Sequence, residues 1–232
     1  MPATPVLTLH RFATRADLQQ ALEARLQAAL TRPAPAPVML SGGSTPIPAY
    51  EALARRAIRG AAGLAVLFSD DRYVPASSDQ SNYHQSRPLL DALALPPAQL
   101  LRVRTELPLA QAAAAYDAGL RTLTSGGVHI GLGLLGLGAD GHTASLFGPG
   151  DLARARGRYA IAVHRPDGRD AVSVTPAVLE LVEELVFVVA GEDKRAAVAA
   201  LLGRDPALTA WQAISGCKAV EVWADAAAAP AT

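Results

Sequence analysis

The chain lacks several features that mark particular classes of protein. It has one cysteine, Cys217, among 232 residues, so an intramolecular disulfide is impossible and we expect a reducing compartment. It has no excess of one charge, because 21 basic residues balance 21 acidic ones, and no Lys/Arg-rich tract offers a surface for nucleic-acid phosphates. It has no apolar run of the roughly 18 residues that span a membrane, and residues 1–20 lack the apolar core of a signal peptide. These absences predict a cytoplasmic protein with no nucleic-acid partner and no membrane partner.

What the chain has is the composition of a globular protein. Half of its residues are apolar and 18% are charged. Its 19 glycines and 17 prolines make 36 of 232 residues, about 16%, well below the roughly 25–30% typical of disordered chains. A chain of this length can bury a sizeable core, and no internal repeat or long polar linker divides it. We therefore expect one domain over residues 1–232, acting as a monomer or a small homo-oligomer.

Short apolar runs, typical of buried strands, alternate with Ala- and Leu-rich amphipathic stretches, typical of helices. The predicted strands cover 38–40, 64–68, 128–135, 161–163, 171–174, 185–189 and 219–223. The predicted helices cover 17–30, 45–59, 81–93, 109–123 and 193–202, and a short helix follows Thr175. We expect Thr45 and Thr175 to be helix N-caps because each precedes a proline, which suits the first helical position. Strands that are apolar on both faces and joined by helices imply an α/β fold with a mainly parallel sheet covered on both sides.

The first candidate binding segment, Ser41-Gly42-Gly43-Ser44-Thr45-Pro46, lies between a predicted strand and a predicted helix. Ligands of such sheets bind outside the carboxyl ends of the strands. The glycines let backbone amides approach an anion, the hydroxyls add donors, and the helix N-terminus adds roughly half a positive charge. The segment predicts a site for a phosphate or sugar phosphate, and the alternative is a tight turn capped by Thr45. It lacks the lysine of a Walker loop, so a nucleoside triphosphate is not implied.

A second segment, SDDRYVP, places Asp70, Asp71 and Arg72 directly after an apolar strand. Charged groups at a strand end are costly unless they are solvated or have a function. The segment is either part of a binding site or an ion-paired turn. The nearby Ser81-Asn82-Tyr83 has the pattern of a helix N-terminus, which is the simpler explanation for it.

A third segment, GEDK, ends in Lys194 where a predicted strand gives way to a helix. Only two of the 21 basic residues are lysines, Lys194 and Lys218, so a lysine at this position is informative. Lys194 is placed to reach an anion at the carboxyl edge of the sheet. The alternative is an exposed residue at the start of a helix.

The fourth segment, GADGHTASLF over 138–147, has the strongest catalytic character. Asp140 and His142 are separated by one glycine, which lets the loop bend so that both side chains face one ligand. Histidine is the natural general base near neutral pH, and a neighbouring carboxylate can orient it and stabilise its protonated form. The alternative is a surface turn whose aspartate caps a following helix.

Two cofactor classes are excluded by position. The run over 131–136 fits the dinucleotide pattern GxGxxG, but its glycines lie inside an apolar strand and do not open a helix. The acidic residue expected about 20 positions later is not found in the required context, a region occupied by Arg154, Arg156 and Arg158. The five histidines never fall at the spacing of metal ligands. We therefore expect no dinucleotide, no metal and no other cofactor.

Six motifs occur along the chain in the order SGGSTP, SDDRYVP, SNY, GLGADGHTASLF, GEDK and VWADAAAA. Through these motifs the chain resembles the 6-phosphogluconolactonase family over residues 10–229. The resemblance implies a Rossmann-like three-layer α/β/α sandwich. It also implies hydrolysis of 6-phospho-D-glucono-1,5-lactone in the oxidative pentose phosphate pathway, without metal or nucleotide. By position, His142 matches the catalytic histidine of the family and Asp140 matches its acidic neighbour. Arg72 and Lys194 match residues that hold the substrate phosphate. The predicted substrate-binding set is completed by Ser41, Gly42, Gly43, Ser44, Thr45, Asp71 and Asn82.

The sequence departs from the family pattern at two places. Asp70-Asp71-Arg72 stands where the family usually has Asp-Glu-Arg. The stretch over 171–175 (AVSVT) stands where the family usually has Arg-Ile-Thr-Leu-Thr, so Ala171 occupies the arginine position and the nearest arginine is Arg169. If that arginine binds phosphate or supports the structure in the family, the sequence does not show which residue takes this role here.

The main alternative is a glucosamine-6-phosphate deaminase/isomerase, which shares the fold, the glycine-rich loop and the Asp-Gly-His motif. Those enzymes place a glutamate five residues after the histidine, whereas this chain has Phe147, which cannot ionise. A further alternative is a non-catalytic sugar-phosphate sensor. Such a regulator would normally carry a DNA-binding module, for which this chain has no basic helix.

Overall fold

The computed structural model describes residues 4–231, in which strands and helices alternate for most of the length. The strands are β1 (Val6–Phe12), β2 (Val38–Leu40), β3 (Val66–Phe68), β4 (Asp70–Arg72), β5 (Leu100–Leu101), β6 (Ile130–Leu135), β7 (Ala160–His164), β8 (Asp170–Val174), β9 (Val182–Val189) and β10 (Ala219–Asp225). The α-helices are α1 (Arg15–Thr31), α2 (Ile47–Arg55), α3 (Asn82–Gln85), α4 (Arg87–Leu93), α5 (Leu109–Leu123), α6 (Pro149–Ala155), α7 (Pro176–Leu179), α8 (Arg195–Leu202) and α9 (Thr209–Ile214).

Seven strands form a central sheet in the order β1-β10-β9-β6-β2-β3-β5. Every neighbouring pair in this sheet is parallel. Parallel neighbours need crossover connections, which the helices supply. The strand nearest the N-terminus, β1, pairs with β10 near the C-terminus, so the sheet ties the two ends of the described chain together.

Each face of the sheet is covered by helices and carries its own hydrophobic core. Alternate residues of one strand enter different cores: Met39 packs with the core under α5, α8 and α9, whereas Val38 and Leu40 pack with the core under α1, α2 and α4. The same division holds in β9, where Phe187 faces the first core and Val186 the second. Burial on both faces is why these strands read as continuous apolar runs. The predicted α/β/α sandwich is confirmed.

A second, three-stranded antiparallel sheet in the order β4-β8-β7 lies beside the first. Ser69 joins the two sheets, because its N–H donates to the Leu40 carbonyl and its own carbonyl accepts from Val174 N–H. The chain thus leaves the parallel sheet at Phe68 and continues at once as β4. The sequence predicted strands at 161–163 and 171–174 but no strand at Asp70–Arg72, which was interpreted as part of a binding site or an ion-paired turn.

Several predicted boundaries differ from the structure. Thr45 is not a helix cap: α2 begins at Ile47 after Pro46, and no side-chain cap bond forms. Thr175 is the N-cap residue of α7, as predicted, but its hydroxyl donates to the Arg158 carbonyl and makes no side-chain cap bond. The helix predicted over 81–93 is divided at Ser86 into α3 and α4, because a proline follows in the first turn of α4. The elements β1, β5, α6 and α9 were not predicted.

The glycine-rich run over 131–136 serves packing within β6. A Cβ atom on Gly133 would come within 3.0 Å of both the Val182 and the Met39 side chains. A Cβ on Gly131 would crowd the methyl group of Ala36. These glycines permit close approach of neighbouring elements, a common reason for glycine in a strand interior.

Candidate active site

A cavity of about 240 Å³ opens at the carboxyl ends of β2, β6 and β9. This is the edge at which ligands of parallel α/β sheets bind. The residues that line it include Ser41–Pro46, Asp70, Arg72, Asn82, Gly136–Gly138, His142, Ala144, Arg165, Val188–Ala190 and Lys194. All four candidate segments from the sequence therefore contribute to one cavity.

The glycine-rich loop from Ser41 to Thr45 forms one wall. Ser41 is fixed from below by buried Tyr50, whose hydroxyl donates to the Ser41 carbonyl at 2.9 Å and accepts from its N–H at 3.3 Å. Gly43 has a φ of 99°, a conformation that disfavours side chains. A Cβ on Gly42 would overlap the carboxamide of Asn82. Glycine at both positions thus lets the loop backbone reach the cavity.

Arg72 is held in place by Asn82. The Asn82 side chain is buried and donates from Nδ2 to the Asp70 carbonyl at 2.8 Å and to the Asp70 carboxylate at 3.3 Å. Its Oδ1 accepts a hydrogen bond from Arg72 Nη1. These bonds fix which way the amide faces, so Asn82 acts on the cavity largely by orienting the guanidinium.

Asp71 does not line the cavity, although the sequence placed it in the substrate-binding set. Its buried carboxylate accepts from Asn82 N–H at 2.7 Å, from Ser81 Oγ at 3.0 Å and from Tyr83 N–H at 3.2 Å. Because side chains alternate along a strand, Asp70 and Arg72 face the cavity while Asp71 faces the opposite side. Through these hydrogen bonds Asp71 fixes the position of the first residues of α3, which include Asn82.

We predict that Asp71 makes the protein less stable as the pH rises towards neutrality. Burial raises the pKa of Asp71 from 3.8 to about 6, although the three donors partly offset it. Since the folded-state pKa exceeds the unfolded one, the stabilising contribution is complete below about pH 4 and is lost as the pH rises through about 6. At roughly 1.4 kcal/mol per pH unit, the unfolding free energy should fall by on the order of 2–3 kcal/mol over this range. Urea unfolding at several pH values should show this slope in the wild type and its reduction in Asp71→Asn. An unchanged slope in that variant would show that Asp71 is not the responsible group.

His142 and Asp140 form a close pair in the loop after β6. Their Nδ1 and Oδ1 atoms are 2.5 Å apart, and Asp140 also accepts from the His142 backbone N–H at 3.3 Å. The loop is closed by Gly138 N–H donating to the His142 carbonyl at 2.9 Å, and Gly141, with a φ of 82°, makes the turn. Partial burial acts to raise the pKa of Asp140, but the hydrogen bond and charge of His142 hold that pKa below its ordinary value. An ionised Asp140 accepts a hydrogen bond from Nδ1–H, which leaves the unprotonated Nε2 free to accept a proton.

Phe147 and Arg165 lie beside the histidine, and Arg165 also lines the cavity. The Phe147 and His142 ring centroids are 4.4 Å apart at 35°. The guanidinium carbon of Arg165 lies 5.0 Å from the Phe147 ring centroid, and Arg165 Nη1 donates to Ser145 Oγ at 3.2 Å. Ser145 Oγ in turn donates to Asp70 at 2.6 Å. Sequence reasoning missed Arg165, whose one signal was an arginine at the end of a predicted strand.

The position of Arg165 bears on the departure at Ala171. Ala171 lies opposite Arg72 on β4 and opposite Val163 on β7, so Arg165 projects from the same sheet face one step beyond Val163. Arg169, the arginine nearest in sequence, instead binds Gln80 and Asp167 and does not line the cavity. The arginine present in this part of the cavity is therefore Arg165.

Lys194 reaches the cavity from the turn after β9. Gly191, with a φ of 104°, reverses the chain, and its N–H donates to Asp225 at 3.2 Å. The Lys194 ammonium lies 3.2 Å from the Asp193 carboxylate, and about a quarter of its side chain is exposed. Among residues 4–231, no three His, Cys, Asp or Glu side chains cluster as they would around a metal ion.

The fold is an α/β/α sandwich. His142, which is paired with Asp140, lines one cavity at the strand ends together with three cations, Arg72, Arg165 and Lys194. This is the arrangement of a sugar-phosphate enzyme. The chain belongs to the family described as glucosamine-6-phosphate isomerases/6-phosphogluconolactonase, whose model matches residues 11–223. The family resemblance seen in the sequence is thereby confirmed.

Individual relatives agree with this assignment. A 6-phosphogluconolactonase of Synechocystis is 37% identical over 169 residues, covering 69% of each chain. A 6-phosphogluconolactonase of Thermotoga maritima is 33% identical over 161 residues, covering 68% of this chain and 70% of its own. Among solved structures, the 6-phosphogluconolactonase of Trypanosoma brucei superposes with a TM-score of 0.76 at 26% identity, covering 97% of this chain and 98% of its own.

Proposed function

We propose that this chain hydrolyses 6-phospho-D-glucono-1,5-lactone to 6-phospho-D-gluconate. The observation that carries the proposal is His142, which is paired with Asp140 and lines the same cavity as Arg72, Arg165 and Lys194. A base and an anion-binding set within one cavity are what a phosphorylated lactone requires. Phe147 contacts the histidine at the position where a deaminase would need an ionisable group, which favours the lactonase over the deaminase/isomerase.

The chemistry needs one group that first accepts and then donates a proton. As water adds to the lactone carbonyl, His142 Nε2 takes its proton, and a tetrahedral oxyanion forms. When the bond between the carbonyl carbon and the ring oxygen breaks, the imidazolium returns the proton to that oxygen, giving the open hydroxy acid. Asp140 holds Nδ1–H throughout and stabilises the imidazolium, as carboxylate partners do in hydrolase triads.

The phosphate is held by charge. Arg72 and Lys194 offer charge-assisted hydrogen bonds, and the backbone of Gly42–Thr45 adds amide donors at the start of α2. Arg165 is a third cation on the same wall as the base. Because Asn82 orients Arg72 and Asp71 orients Asn82, these two residues support the binding set indirectly.

We predict that Lys194→Ala raises KM for the phosphorylated lactone by about tenfold or more, because a charge-assisted hydrogen bond is lost. Its activity on unphosphorylated gluconolactone should change little. Steady-state kinetics on both substrates measure the difference. Lys218→Ala, at an exposed position in the last turn before β10, is the matched control and should leave both KM values unchanged. Equal losses on both substrates would show that Lys194 does not recognise the phosphate.

The activity itself is tested by proton release from the lactone, corrected for spontaneous hydrolysis, beside ammonia release from glucosamine 6-phosphate. We expect lactone hydrolysis without added metal or nucleotide and no ammonia. Ammonia without lactone hydrolysis would reverse the assignment to the deaminase/isomerase. Sugar-phosphate binding with neither reaction would indicate a non-catalytic domain.

The cellular setting proposed for this reaction is the oxidative pentose phosphate pathway in the cytoplasm. The buried thiol of Cys217 is free, which suits a reducing compartment. In the described part of the chain, no helix combines the length and hydrophobicity needed to cross a bilayer. The parallel sheet that runs unbroken from β1 to β5 supports a single domain.

A further inference from the structure

Phe147 contacts the reacting machinery although the proposed chemistry gives it no step. Its ring stacks against the His142 imidazole at 4.4 Å and lies 5.0 Å from the Arg165 guanidinium. One phenyl ring therefore touches both the proposed general base and a cation of the cavity. Aromatic faces attract cations and favour offset contacts with other rings, so both contacts are attractive.

The His142 imidazole needs such a contact. Within residues 4–231 its one polar side-chain partner is Asp140, and 59% of the Asp140 side chain is exposed. A single hydrogen bond fixes the position of Nδ1 but leaves the ring free to swing, and with it the direction of Nε2. A misplacement of about 1 Å can cost about 100-fold in rate.

The Phe147 backbone is anchored independently of the substrate. Its N–H donates to the Asp151 carboxylate at 2.8 Å, and its carbonyl accepts from Thr209 Oγ1 at 3.4 Å. The preceding turn is closed by an antiparallel bridge between Thr143 and Leu146. These bonds fix where the Phe147 side chain starts but not how its ring is turned.

Arg165 is the cation that packs on the Phe147 ring. Only 14% of the Arg165 side chain is exposed, and its guanidinium is held by Ser145 Oγ at 3.2 Å and by Asp167 at 3.3 Å. Ser145 is fully buried and bonded to Asp70, so the support extends into the antiparallel sheet. A guanidinium anchored at two points gives the phenyl ring a fixed surface to pack on.

We propose that Phe147 is a positioning residue that aims the His142 imidazole, and that Arg165 holds the Phe147 ring in place for this purpose. The proposal rests on the lactonase function above. It assigns Arg165 two effects: a charge that favours binding of the anionic substrate, and a packing contact that reaches the base through Phe147. We expect loss of the charge to raise KM and loss of the packing contact to lower kcat.

Phe147→Leu tests the first link. We expect kcat to fall about fivefold with KM within about twofold of wild type, because leucine keeps most of the side-chain volume but loses the ring–ring contact with the imidazole. Phe147→Tyr keeps the ring and should restore at least about half of wild-type kcat. The matched control is Tyr159→Leu, which removes an aromatic ring lying 4.4 Å from the Arg121 guanidinium outside the cavity and should leave kcat unchanged.

Arg165→Met, made in wild type and in Phe147→Leu, tests the second link. In wild type it should raise KM and lower kcat about threefold; in the Phe147→Leu background the rise in KM should persist while the further loss of kcat disappears. Thermal unfolding of each variant separates these effects from misfolding. Two results would overturn this inference alone, provided that the wild type hydrolyses the lactone. One is an unchanged kcat in Phe147→Leu. The other is a double variant whose loss of kcat equals the product of the two single losses. A wild type that fails to hydrolyse the lactone overturns the proposed function itself.

Discussion

Replacing His142 by asparagine should lower kcat for the lactone at least about 100-fold and change KM little. General acid–base catalysis typically contributes about 10²–10⁴-fold, and here one imidazole acts in both directions of proton transfer. Asparagine can keep a hydrogen bond to Asp140 but cannot accept a proton, so binding survives while the chemistry does not. Asp140→Asn should lose less, because the imidazole remains and only its orientation and charge stabilisation suffer. Steady-state kinetics on purified, folded protein measure both variants.

His10 provides the control for this experiment. It also pairs with a carboxylate, 3.2 Å from Glu221, and lies beside an aromatic ring, that of Trp223, but on the edge strand β1 outside the cavity. His10→Asn should therefore leave kcat unchanged. If folded His142→Asn keeps more than about a tenth of wild-type kcat, the general-base role is wrong and the residue is a structural part of its loop.

The central sheet could be predicted because its inner strands are buried on both faces. Such strands need apolar residues at every position, so β2, β6 and residues 185–189 of β9 stand out as continuous apolar runs. The edge strand β1 carries Thr8, His10 and Arg11 among its apolar residues, and β5 has only two residues, so neither shows this pattern. The order of the strands could not be predicted from the sequence, because local patterns do not show which strands become neighbours in the sheet.

The candidate site was predicted in part, and the rest depended on the small antiparallel sheet. Without knowing that Asp70–Arg72 is a strand, the sequence could not separate Asp70, which faces the cavity, from Asp71, which faces away. Arg165 was missed for a related reason. Only the register of β7 against β8 shows that it shares a face with Ala171 and thus enters the cavity. Chain order alone pointed to Arg169.

Gly138→Ala should lower kcat by about 10- to 100-fold while the fold remains intact. A Cβ atom at this position would overlap His142 Nδ1 and Asp140 Oδ1, the two atoms that form the pair. The backbone of Gly138 is not in the left-handed region, so alanine is acceptable there and the effect comes from space alone. The pair must move to make room, and a shift of about 1 Å in a catalytic group can cost about 100-fold. KM should rise far less than kcat falls, because the cations proposed to bind the phosphate lie elsewhere in the cavity.

Gly150→Ala is the matched control for this substitution. Gly150 lies a short distance further along the chain, within α6, and a Cβ atom there meets nothing within 4 Å. Alanine is also the better helix former, so this variant should keep its activity and unfold no earlier than wild type. A Gly138→Ala protein with the thermal midpoint and the kcat of wild type would show that the 2.5 Å His142–Asp140 arrangement is not needed for turnover. Loss of kcat in Gly138→Ala alone, with both proteins folded, would tie the rate to the placement of that pair.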